Sequence, residues 1–115
     1  MSKRNYILFL NDILRSSEKI LRYADDKSFE EFVGDEMLTD AVIRNLEVIG
    51  EAVKNLPAGV KQKFGDIEWK KIAGLRNTLI HEYFGIDYEV LWGIVKNKVP
   101  QLKEQVEVIL KGHEM

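Results

Sequence analysis

The 115-residue chain contains no cysteine, which excludes a disulfide framework, a thiolate zinc site and a cysteine nucleophile. A cysteine-free composition fits a reducing cytosol, and a cytoplasmic location is the expectation. There is no excess of positive charge either. Seventeen Lys and Arg stand against 19 Asp and Glu, for a net charge of -2. That balance argues against a protein that coats nucleic acid by bulk charge, yet leaves room for an RNA footprint on a local patch. Long apolar runs are missing: Asn5 and the pair Asn11-Asp12 interrupt the first apolar segment. Neither a signal peptide nor a membrane span is expected from that pattern. No strand-like alternation, internal repeat, low-complexity tract or long linker is visible.

What remains is helical. The chain is 45% hydrophobic and 31% charged, ordinary for a globular domain, and its length suits one core and one domain over residues 1–115. From about residue 3 to 24, Tyr6, Ile7, Leu10, Ile13, Leu14, Ile20 and Leu21 recur at steps of three and four, the spacing of an amphipathic helix. Ser28 can cap a short turn through Phe29 and Phe32 that ends at Gly34. Asp35 is the expected N-cap of a second long helix reaching Leu56, before Pro57-Ala58-Gly59 stops it. A third helix is expected from an Asp66 cap through Trp69, Ile72, Leu75 and Leu79 to Tyr83, leaving at Gly85. A fourth starts at Asp87, and Pro100 fits the first turn of a fifth. These elements predict an all-α, antiparallel (up-and-down) four-helix bundle with short additional helices.

The stretch Arg76-Asn77-Thr78-Leu79-Ile80-His81-Glu82-Tyr83 gathers an arginine, an amide, a histidine and a tyrosine within two helical turns. On a helical wheel at about 100° per residue, Arg76 sits near the centre of the apolar face of the third helix. A lone buried charge there costs several kcal/mol, so Arg76 either pairs internally or faces a polar cleft. His81 lies about 140° away on an ideal helix, beside Asn77, which can orient it. One straight helix therefore does not aim Arg76 and His81 at one phosphate. Either the helix loosens toward Gly85, or two copies meet across a two-fold axis. These residue types suit RNA cleavage without a metal. A histidine titrating near neutrality can move a proton at a ribose 2′-hydroxyl or a leaving oxygen, and an arginine fork can hold the phosphate. A metal site is not expected: Glu82 adjoins His81, but His113 stands far off near the C-terminal end. Asn45 falls inside the apolar stripe of the second helix, as either a satisfied packing amide or a site residue. Lys61, Lys63, Lys70 and Lys71 form a modest basic group, either a solvated face or an RNA contact. Trp69 and Trp92 read as core anchors.

The segment 76–83 matches R-x4-H-x-Y and resembles the motif of HepT-like proteins of the HEPN superfamily. These are the toxins of type VII toxin–antitoxin systems, whose antitoxins are MNT-type nucleotidyltransferases. Residues 44–52, Arg-Asn-Leu-Glu-Val-Ile-Gly-Glu-Ala, and 69–77, Trp-Lys-Lys-Ile-Ala-Gly-Leu-Arg-Asn, carry the same likeness. The resemblance implies a HEPN-like fold and a homodimer with motifs facing across a cleft. It implies a metal-independent endoribonuclease without cofactors that attacks RNA (transfer RNA included) through the 2′-hydroxyl. It makes Arg76 and His81 the catalytic pair, with Asn77 and Asn45 supporting. Tyr83 becomes the residue to which the nucleotidyltransferase adds AMP, silencing the toxin. A different class of reading keeps the cleft for recognition alone, as a non-catalytic nucleotide- or partner-binding helical module.

Overall fold

The computed structural model describes the backbone of residues 3–75, 80–81 and 85–114, and the side chains of residues 6–75 and 85–112. Seven helices are described: α1 (Lys3–Ala24), α2 (Phe29–Gly34), α3 (Glu36–Asn55), α4 (Ala58–Lys63), α5 (Trp69–Ala73), α6 (Tyr88–Gly93) and α7 (Val99–Glu114). A π-helical turn, Ile94–Lys98, joins the last two, and a two-residue antiparallel pair, β1 (Ile80–His81) and β2 (Gly85–Ile86), precedes α6. The all-α bundle expected from periodicity is the fold found. Among the described residues no helix is long and apolar enough to cross a membrane.

Helix α1 is the middle of the bundle, packing along α3 and α7. Its buried positions are Leu10, Ile13, Ser16, Ser17, Ile20 and Ala24, and all but Ser16 follow one another at alternate steps of three and four. That spacing makes a narrow seam that two neighbours can grip. α3 answers with Leu38, Val42, Leu46, Ile49, Val53 and Leu56, and α7 with Val99, Leu102, Val106 and Ile109. Each such Leu, Ile or Val contributes about 1.5–3 kcal/mol on burial.

The helix ends follow the sequence closely. Ser28 and Glu31 form a reciprocal capping box, with bonds of 2.9 and 3.1 Å. Asp35 Oδ1 accepts from the Leu38 amide at 3.0 Å and starts α3. Asp87 Oδ1 accepts from the Val90 amide at 3.1 Å and starts α6. Each satisfies a donor that the first helical turn leaves orphaned.

Two expectations need correction. The helix expected from Asp66 to Tyr83 is not continuous: Glu68, not Asp66, occupies the N-cap, α5 closes on Gly74, and Ile80 and His81 are extended. Gly74 has the weak helix propensity of its type, and the β-branched Ile80 suits a strand. The break expected before Pro100 is absent as well. α6 runs into α7 through the π turn, where the Val99 amide donates to the Ile94 carbonyl five residues back. Pro100 can neither donate to the carbonyl of residue 96 nor tolerate it nearby, and widening the preceding turn relieves both problems.

Trp69 is the buried anchor expected, its Nε1 donating to the carbonyls of Lys61 and Phe64 at 3.1 Å each. Trp92 is only half-buried, held by Phe32 at 4.9 Å and Phe29 at 6.1 Å between ring centroids.

Ser17 is the exception in the α1 seam. It is fully buried, and its hydroxyl has no hydrogen-bond partner among the described residues. An unsatisfied buried hydroxyl carries an uncompensated desolvation cost. Ser17→Ala should therefore stabilise the protein by about 1 kcal/mol, read as a higher denaturant midpoint with an unchanged m-value. A fall in the midpoint would show that the hydroxyl contributes a bond.

Candidate functional site

Of the residues singled out by sequence, Arg76, Asn77 and Tyr83 lie outside the described residues, and so does the side chain of His81. The structure does locate their flanks. On the N-terminal side the chain arrives through α5 and Leu75. On the C-terminal side the backbone of His81 is paired with Gly85, and Ile80 with Ile86. His81 is thus on a strand rather than a helix. The angular separation of Arg76 and His81 derived from one continuous helix, and the two-fold assembly inferred from it, lose their geometric premise.

Two glycines stand at the flanks of this segment. Gly50 of α3 lies against the end of α5: a Cβ there would stand 3.4 Å from the Ala73 carbonyl oxygen and 3.6 Å from that of Ile72, an ordinary van der Waals contact. Gly85 has φ +78°, in the left-handed region, where a Cβ is disfavoured and glycine is not. That conformation turns the chain at the position opposite His81.

Beside this segment lies a cleft of about 690 Å³. Its apolar floor comes from Leu46 and Ile49 of α3, Ile72 and Leu75 near α5, and Ile94 and Leu102 beyond. Its rim is polar, with Glu68, Lys70 and Lys71 on one side and Lys98, Gln101 and Gln105 on the other. The cleft is walled by α3, α5, the π turn and α7. Apolar floors with a few polar groups are the usual form of a ligand site.

Asn45 stands on α3 four residues before Ile49, on the same helical face. It is half-buried, and its Nδ2 donates to the Ala41 carbonyl at 2.8 Å, so its donor is satisfied within its own helix. Glu68 pairs with Lys71 at 2.7 Å and with Lys98 at 3.5 Å. Its carboxyl is held below the usual range, mainly by the Lys71 hydrogen bond and charge and then by Lys98. The Lys71 ammonium is correspondingly raised by Glu68. Sequence reading placed Lys70 and Lys71 in a basic group but passed over Glu68 and Lys98. Thirty residues separate those two, and nothing in their local pattern announces that they meet.

Comparison with known proteins gives these features a context. Residues 13–109 match the family model described as ribonuclease HepT-like. A Methanocaldococcus jannaschii protein named "Putative RNase MJ1380" is 47% identical over 109 residues, covering 95% of this chain and 100% of the relative. A Caldanaerobacter subterraneus protein named "Putative RNase TTE0752" is 46% identical, covering 90% and 92% respectively. "Probable ribonuclease HepT" of Thermococcus cleftensis is 42% identical, covering 95% and 99%. No solved structure matches the chain significantly.

Gly85→Ala should cost about 1 kcal/mol through the disfavoured φ while leaving the bundle folded. A denaturant midpoint lowered by that amount at an unchanged m-value checks this, and an unchanged midpoint would show that the positive φ carries no strain.

Proposed function

The chain belongs to the ribonuclease HepT-like family, and from that premise we propose that it is a metal-independent endoribonuclease, the toxin of a toxin–antitoxin pair. The observation that carries the reading is the family match over residues 13–109, together with an intact R-x4-H-x-Y segment at 76–83. A ribose 2′-oxygen attacks the adjacent phosphorus, and the bond to the 5′-oxygen breaks. The products are a 2′,3′-cyclic phosphate and a 5′-hydroxyl. His81 moves a proton, either taking it from the 2′-hydroxyl or giving it to the leaving 5′-oxygen. Arg76 holds the phosphate and offsets the charge that builds on it. Asn77 and Asn45 support the pair by orienting it. The active form is a homodimer in which two motifs share a cleft.

Tyr83 is the off-switch. A partner MNT-type nucleotidyltransferase transfers AMP from ATP to the phenol oxygen and releases pyrophosphate. The added phosphodiester is bulky and anionic, and it opposes a polyanionic substrate next to the arginine. Transfer RNA is a candidate substrate.

Purified protein should cleave RNA in the presence of EDTA, and Arg76→Ala and His81→Ala should each lower the rate by about 100-fold or more. Equal cleavage by all three preparations would point to a contaminating nuclease and end the assignment. Co-expression with the cognate nucleotidyltransferase should raise the intact mass by whole AMP units, and Tyr83→Phe should remove the increase. A mass increase retained in Tyr83→Phe would place the modification elsewhere.

A further inference from the structure

The cleft beside residue 75 is crossed at its mouth by one carboxylate. Glu68 stands at the N-cap of α5, where a shorter Ser, Asp or Asn side chain would accept from the orphan amides of the first turn. Glu68 makes no such bond. It is turned instead toward two ammonium groups from opposite walls, Lys71 of α5 at 2.7 Å and Lys98 of the π turn at 3.5 Å. All three side chains are exposed, Lys71 at 79%, Lys98 at 59% and Glu68 at 47%. Ion pairs of this kind contribute little to stability and are readily exchanged for another anion. Lys70 and Asp66 line the same cleft, so its described lining carries three lysines against two carboxylates, a positive surplus of one.

We propose that Lys71 and Lys98 are the contacts for the RNA backbone, and that Glu68 is a built-in competitor holding them across the empty cleft until phosphates displace it. The proposal rests on the ribonuclease reading for the identity of the polyanion. Two lysines on separate walls can hold consecutive parts of one strand, while the apolar floor below accepts a base face. Glu68 weakens nonspecific capture of anions, because each lysine must surrender its internal partner before it binds a phosphate.

The test is binding of a fluorescein-labelled single-stranded RNA, read by anisotropy at low salt, in a full-length His81→Ala parent so that cleavage does not intrude. Glu68→Gln should tighten Kd by about threefold to tenfold, an electrostatic effect that fades as salt rises. Adding Lys71→Gln and Lys98→Gln should abolish that gain and flatten the salt dependence. Glu107→Gln removes the same charge from an equivalent pair with Lys103 on α7, at 3.1 Å and outside the cleft, and serves as the control. The proposal is overturned if Glu68→Gln gains no more than Glu107→Gln, if the gain survives loss of both lysines, or if no variant binds RNA. Cleavage by the unmodified protein is scored separately. A protein that binds as described but never cuts refutes the ribonuclease reading and leaves the lysine contacts standing.

Discussion

The structure depends on the grip of two helices on α1. Leu10, Ile13, Ile20 and Ala24 are buried along one seam, and α3 and α7 both pack on it. These three long helices carry most of the buried apolar residues, and the chain between α4 and α6 adds Ile67 and Trp69 to the same core. α4 and α5 span six and five residues, and a two-residue strand pair follows.

Between α3 and α7 lies a cleft with an apolar floor and a charged rim. Gly50 of α3 lies against the α5 carbonyls, and Gly85 takes a left-handed conformation opposite His81. The π turn belongs to the same design. It carries Pro100 through a continuous helix and sets Lys96 over the Trp92 ring at 4.5 Å and Lys98 toward Glu68. π turns of this kind are often found near functional sites.

Much of the frame was legible because its signals are local. A capping residue acts on an amide two or three positions away, so Ser28, Asp35 and Asp87 declare their helices within one turn of sequence. Apolar steps of three and four declare the buried face of α1, α3 and α7 in the same way. The R-x4-H-x-Y segment and its flanks were enough to indicate a family that the whole-chain comparisons then supported. Periodicity misled where a helical pattern continued in letters but not in space. Leu75, Leu79 and Ile80 keep the right spacing, yet Gly74 interrupts and His81 pairs with Gly85. Ser17 was passed over because a serine in an apolar stripe looks like a gap, although the seam carries it fully inside.

The sequence by itself determined the helical class, the placement of most helix starts and the presence of the arginine–histidine–tyrosine segment, since each rests on residues within a few positions of one another. Only the tertiary structure decided that Glu68 meets Lys98 from thirty residues away, that Gly50 lies against the end of α5, and that a cleft lies beside residue 75. Those are contacts between elements, set by which helices pack on α1 and how closely. No periodicity or cap encodes a distance between two parts of the chain that only folding brings together.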